Sequence, residues 1–295
     1  MVAPVVCAGG SATHARRAWF AIEGALNRSS TDSAGPRSGG QAAAWPSRTV
    51  VTTRIDAATM DGAVATVLDW ARAAESRSVC FATSHTVMEC QKDDAFRRAM
   101  NGSDLVLPDG MPLVWALRAL GVDGAERVCG PQFLPAMCAA AAAAGVPVGF
   151  YGGHTAVLDE LVATLTQENP GLQVAYRWSP PFRPLRDEED RLVVKRIAES
   201  GARIVFVALG SVVQESWTFE HRGRVDAVLL GVGQAVDIAA GRKRQPPAWV
   251  QNAGLEWADR LLRDPVRLWK RYLVDSARIV PAFARQYLRE RRRHT

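Results

Sequence analysis

The chain has few cysteines for its 295 residues, five in all (Cys7, Cys80, Cys90, Cys129, Cys138), an odd number with no CxxC pair. That argues against a disulfide framework and a structural zinc site, and for reduced thiols of a cytoplasmic protein. There is no DxD tripeptide, and the carboxylate runs Asp93-Asp94 and Glu188-Glu189-Asp190 fall in charged helical stretches that read as solvated faces. No metal and no other cofactor is therefore expected. Long apolar runs are also missing. The longest, Phe133 to Tyr151, is rich in alanine and is broken by Pro135, Gly145 and Pro147, so it reads as a buried helix leading into a strand. The first residues have no basic start, and Arg16 and Arg17 follow the apolar run instead of preceding it, so no export is expected. No repeat of fixed period occurs.

A hydrophobic content of 48% over this length supports one large soluble domain, or one domain with an appendage. The net charge of +6 is concentrated at one end. From Arg242 to Thr295 there are fourteen Lys or Arg against five Asp or Glu, a local balance of +9, which leaves −3 for everything before it. Such a tail suits an anionic partner: lipid headgroups, a diphosphate or a nucleic acid. The last has no zinc finger, recognition helix or aromatic-basic sheet motif to support it, so no nucleic acid is expected.

Taken in order, residues 1–47 are rich in Ala, Gly and Ser and read as a flexible extension, with a short helix allowed at Trp19 to Leu26. A strand is predicted at Val50 to Thr53, and then a helix capped by Thr59 with Val64, Val67, Leu68 and Ala71 at helical spacing. Further strands are predicted at 79–82, 105–107, 146–151, 173–176, 204–209 and 227–230, with helices between them, among them one at 87–100, one at 187–200 and one starting near Gln214. This alternation over 48–247 predicts an α/β fold with a Rossmann-like, largely parallel sheet covered by helices on both faces. Three strands end in glycines (Gly152-Gly153, Gly210, Gly231 and Gly233), which serve either as turns or as points of close approach for a phosphate.

One stretch stands out, DLVLPDGMPLVWALRALGVDGAERVCG, from Asp104 to Gly130. Pro108-Asp109-Gly110 stops a short apolar strand, which puts Asp109 at the strand's exit, where open α/β sheets bind ligands. Two readings stay open on pattern alone: a carboxylate for chemistry, or a turn with Asp109 capping the helix near Met111.

Residues 248–295 form a helical appendage rich in Trp and Arg. At 100° per residue, Trp269, Tyr272, Leu273, Ile279, Val280 and Phe283 fall on one arc, and Arg267, Arg271, Arg278, Arg285 and Arg289 on another. That is the pattern of a helix in an anionic membrane interface, and equally of a helix packed on its own domain with a basic outer face. Pro281 is expected to kink or divide it. Truncation near Pro247 is expected to leave a folded core that no longer binds anionic liposomes.

The motifs PDG (108–110), ERVCG (126–130), FYGG (150–153), VALGSVVQESW (207–217), GVGQAVDIAAGRKRQPPAW (231–249) and GLEWADRLLRDPVRLWKRYL (254–273) resemble, in order, those of the WecG/TagA/CpsF bacterial glycosyltransferases. The resemblance implies a peripheral enzyme of exopolysaccharide or cell-wall polymer synthesis at the inner face of the plasma membrane. It would move a sugar, often N-acetylmannosamine, from a UDP-sugar donor to a sugar carried on undecaprenyl diphosphate, with inversion and without a metal. A homo-oligomer is left open.

By the same resemblance, Asp109 matches the family carboxylate proposed as general base, and Thr83 of FATSH the threonine beside it. An inverting transfer needs one carboxylate to take the acceptor's proton and cations or backbone donors for the departing UDP, roles open to Arg127, Arg260, Arg267 and Arg271. Gln214 and Glu215 match the family's QE pair, placed at the donor nucleotide with the glycine turns. This chain has His85 where the family usually has Asn, and Val212-Val213 where it has Pro-Lys. A catalytically weakened relative that binds a sugar nucleotide or lipid carrier is the alternative.

Overall fold

The computed structural model describes residues 45–294. The expected N-terminal extension, with its helix at Trp19 to Leu26, lies almost wholly outside them.

In chain order the elements are β1 (Ser47–Val50), β2 (Thr53–Asp56), α1 (Met60–Arg72), β3 (Arg77–Ala82), α2 (Ser84–Cys90), α3 (Asp94–Gly102), β4 (Leu105–Pro108) and α4 (Met111–Ala119). Next come α5 (Gly130–Ala144), β5 (Val148–Gly152), α6 (Thr155–Glu168), β6 (Val174–Trp178), α7 (Asp187–Ser200), β7 (Ile204–Ala208), α8 (Val213–His221), β8 (Val228–Gly231) and α9 (Ala235–Ala239). The tail holds α10 (Ala248–Asn252), α11 (Glu256–Arg263), α12 (Pro265–Trp269), a π-helical turn (Lys270–Asp275), a 3-10 turn (Ser276–Arg278) and α13 (Ile279–His294).

The main sheet has six parallel strands in the order β4-β3-β8-β7-β5-β6, so the fold is the α/β class expected. Alternation along each strand builds a core on both faces. Val79, Phe81, Phe150 and Phe206 pack with α1, α5 and α6, while Cys80, Ala82 and Val106 pack with α2 and α4. A third cluster joins Val205, Val207 and Leu229 to Val193, Ile197 and Trp217 of α7 and α8. Phe150 and Phe206, on adjacent strands, stack with centroids 5.3 Å apart. Burying one such ring contributes roughly 2–3 kcal/mol. Because all six strands run the same way, their carboxyl ends meet at one edge.

Two sequence expectations near the start are corrected. Val50 to Thr53 is not one strand: Val51 and Thr52 turn the chain between antiparallel β1 and β2. Val51 takes φ +62°, uncommon for a β-branched residue, and no glycine marks the turn. Distant amides hold it. Asn101 Nδ2 donates to the Thr52 carbonyl (2.9 Å) and its Oδ1 accepts from the Arg54 N–H (2.8 Å). The Val51 N–H donates to Gln286 Oε1 (2.7 Å), whose Nε2 donates to the Thr49 carbonyl (2.6 Å). The helix expected over 87–100 is two helices, because Asp93 Oδ1 accepts from the N–H groups of Ala95 and Phe96 and starts α3 afresh. Thr59 caps α1 as expected, accepting from the Gly62 N–H at 3.1 Å.

The tail departs most from the helical projection. The π-helical and 3-10 turns break the 100° phase ahead of Pro281, which falls in the first turn of α13, where its missing N–H costs least. The apolar stripe splits as a result. Ile279 is buried with Val50, Ile55, Val87 and Met88, and Phe283 packs on the same cluster, while Trp269, Leu273 and Val280 are exposed. The side chains of Arg267, Arg271 and Tyr272 lie outside the described residues.

Candidate active site

Asp109 follows β4 directly, and its N–H extends the sheet ladder to the Ala82 carbonyl at 2.8 Å. Gly110 is the N-cap of α4 and no side chain bonds there, so the capping reading of Asp109 does not hold. The Gly130 N–H, at the first residue of α5, lies on the carboxylate's side and favours its charged form. Arg127 lies beside it, with Nη2 4.0 Å from Asp109 Oδ1 and Nε donating to the Asp109 carbonyl at 2.7 Å. The other guanidinium contacts reach into the tail: Nη1 donates to Gln251 Oε1 (3.1 Å) and Nη2 to Glu256 Oε1 (2.7 Å).

Burial pushes the Asp109 carboxyl up to about 6. The Arg127 charge opposes this, Glu256 adds to it, and Arg260 opposes it again. The result is a carboxylate, ionised at neutral pH, that is basic enough to accept a proton.

The tail covers this point. Gly254, at φ +70°, sits so close to α4 that a Cβ there would come within 2.9 Å of Trp115 and 3.1 Å of the Met111 Cβ. Gln251 is buried, donates to the Pro246 carbonyl (2.7 Å) and accepts from Gln132 Nε2 (3.3 Å) as well as from Arg127. Gln251 and Glu256 were not singled out in the sequence. Gln251 falls between two motifs and Glu256 inside the 254–273 motif, but nothing local ties them to Arg127, more than 120 positions earlier.

Thr83 and His85 follow β3, the strand next to β4. The Thr83 hydroxyl accepts from the Thr86 N–H (3.3 Å) and the Thr86 hydroxyl accepts from the Thr83 N–H (2.7 Å), a reciprocal cap that starts α2. His85 is partly buried, its Nδ1 3.9 Å from Glu89 Oε1. Lys92 bonds that same Glu89 oxygen (3.0 Å) and reaches Asp275 of the tail (3.2 Å).

Gln214, Glu215, Gly231 and Gly233 form a second group at the ends of β7 and β8. Gln214 Nε2 donates to Glu215 Oε1 (3.0 Å) and to the Gly231 carbonyl (3.0 Å). Glu215 Oε2 accepts from the Val212 N–H at 2.5 Å, holding Val212 at φ +77°. A Cβ on Gly233 would lie 3.0 Å from Gln214 Oε1, an atom that is buried with no hydrogen-bond partner among the described residues. Gly152 ends β5, one strand beyond β7, and Gly153 follows it. Gly152 meets a backbone instead of open space: its Cβ would be 2.4 Å from the Ala208 carbonyl oxygen. Among the described residues, no group of three or more His, Cys, Asp or Glu is placed to hold a metal ion.

Of the expected residues, Asp109 and Arg127 lie under the tail at the carboxyl edge, Thr83 and His85 beside them, and the Gln214 group farther along the same edge. The Arg260 charge reaches Asp109.

Residues 48–293 match the family described as Glycosyl transferase WecG/TagA/CpsF. Among similar proteins, the N-acetylglucosaminyldiphosphoundecaprenol N-acetyl-beta-D-mannosaminyltransferase of Bacillus subtilis strain 168 is 29% identical over 201 residues, which is 68% of this chain and 74% of that protein. The protein of the same description from Bacillus spizizenii strain W23 is 28% identical over 186 residues, 63% of this chain and 70% of the relative. With the motifs in order on a doubly covered parallel sheet and the match running through the tail, this chain belongs to the WecG/TagA/CpsF family and is a glycosyltransferase.

Proposed function

We propose that this enzyme transfers a hexose, of the N-acetylmannosamine kind, from a UDP-sugar to a sugar on undecaprenyl diphosphate, with inversion at the anomeric carbon. The observation that carries the reading is Asp109, a carboxyl raised to about 6 at the sheet's carboxyl edge beneath a cationic tail. The names of the two Bacillus relatives supply the substrate class.

Asp109 takes the proton of the acceptor hydroxyl as that oxygen bonds to the anomeric carbon. The bond from this carbon to the diphosphate oxygen breaks on the opposite face, and UDP leaves with the electron pair. Arg127 and Arg260 offset the charge that develops on the diphosphate. Gln214 Oε1, buried without a donor among the described residues, takes an N–H or O–H of the donor substrate. The reading is metal-independent, with arginine in the cation role.

The acceptor's diphosphate lies at a membrane surface, and no helix among the described residues is long and apolar enough to cross one. Exposed Trp249, Trp257, Leu262, Val266 and Trp269 on the tail support peripheral attachment at the inner face of the plasma membrane. The test is UDP release with a panel of UDP-sugars and a short-chain undecaprenyl-diphosphate-linked acceptor, with and without EDTA. Turnover that needs both substrates and survives chelation is expected. No turnover with any donor, alongside tight UDP binding, would favour the weakened relative.

A further inference from the structure

A cavity of about 450 Å³ lies between the β1–β2 turn and α13, and no residue of the Asp109 site lines it. Its walls include Val51 and Thr52 of the turn and Arg285, Gln286, Arg289 and Glu290, which share one face of α13 at three- and four-residue spacing. Most polar groups here are already committed. Gln286 is spent on the turn, and the Glu290 carboxylate accepts from Gln286 Nε2 at 2.9 Å. The Thr52 carbonyl is taken by Asn101.

Four groups are left, the exposed Gln91 amide among them. Arg285 and Arg289 are exposed and have no hydrogen-bond or ion-pair partner among the described residues. The Thr52 hydroxyl is buried and has none either. Two guanidinium forks one helical turn apart line the cavity with Thr52 and outnumber its one carboxylate, Glu290, a donor-rich set that suits a tetrahedral oxyanion.

We propose that this cavity binds a phosphate-class anion, a phosphate or diphosphate group that bridges α13 to the β1–β2 turn. Such an anion ties down the far end of the same tail that covers Asp109. The group comes either from a soluble phosphate or from an anionic lipid headgroup, and the experiment separates the two.

The full chain is unfolded thermally with sodium phosphate or pyrophosphate against sodium chloride of equal ionic strength, and sedimented with phosphatidylglycerol and phosphatidylcholine vesicles. Arg285→Gln with Arg289→Gln is compared with a charge-matched control, Lys195→Gln with Arg292→Gln, and with Thr52→Val. Wild type and control should bind the anion, the double variant about tenfold or more weakly, and Thr52→Val to an intermediate degree. Stabilisation by phosphate that the double variant loses identifies a soluble ligand. Loss confined to phosphatidylglycerol vesicles identifies a headgroup. If the double variant and the control respond alike in both arms, the site does not exist. Thr52→Val keeps the test open should the double variant fold poorly.

Discussion

The guanidinium of Arg127 is bonded to Glu256 at 2.7 Å, a link across 129 positions that fastens the tail over the end of β4. Asp109 is the farther carboxylate, at 4.0 Å. The arginine is thus shared between a structural partner and the proposed base, and this helps to keep the base from becoming too weak.

Asp109→Asn should lower turnover by about two orders of magnitude or more with donor affinity nearly unchanged. In the parent, activity should fall as pH drops through about 6, where the carboxylate takes up a proton. Stability should run the other way. The folded-state value is raised above the ordinary 3.8, so the fold binds the proton more tightly and loses stability as pH rises from 3.8 to about 6. Asn should therefore stabilise the protein at pH 7 by on the order of 1–3 kcal/mol, and not below pH 4. A pH series of melting temperatures on both proteins checks the sign.

Glu256→Gln removes the charge that raises Asp109 and loosens the hold on Arg127. The acid limb of the pH–rate profile should move to lower pH, and proteolysis in the tail should quicken. An unmoved limb would mean that Glu256 acts on the tail alone.

Gly152→Ala is expected to cost about 2–4 kcal/mol, since φ is +106° and the new Cβ would meet the Ala208 carbonyl. Gly210→Ala, at φ +91° but in open space, should cost only about 1 kcal/mol, for strain alone. Urea midpoints for the two would separate close approach from strain.

Ile279→Ala should cost about 2–4 kcal/mol, because this tail residue is buried in the cluster of β1, β2 and α2. Truncation near Pro247 should then leave a core with a lowered melting temperature, since Ile279 and Phe283 no longer cover that cluster. Leu262→Ala, on an exposed side chain, should leave stability within about 0.5 kcal/mol while weakening liposome sedimentation.

Much of the fold was legible because its signals are local. Short, fully apolar strands such as Ile204 to Ala208, the Thr59 cap and the stop at Pro108 each act within a few residues, so the α/β alternation and the exit position of Asp109 could be read directly. Where the reading failed, a distant group had replaced a local one. The Val51-Thr52 turn lacks glycine because Asn101 and Gln286 bond its backbone, and the tail's apolar arc divides because a π-turn and a 3-10 turn shift its phase.

The sequence by itself determined the parallel sheet, the carboxylate at the end of β4 and the basic, tryptophan-rich character of the last residues, since composition and short-range periodicity suffice for these. Only the tertiary structure decided that Asp109 is not a helix cap, that Arg127 answers to Gln251 and Glu256, and that Ile279 faces inward. The reason is physical: burial and charge pairing depend on which surfaces close over one another, and residues more than a hundred positions apart set the basicity of Asp109 once the tail has folded across it.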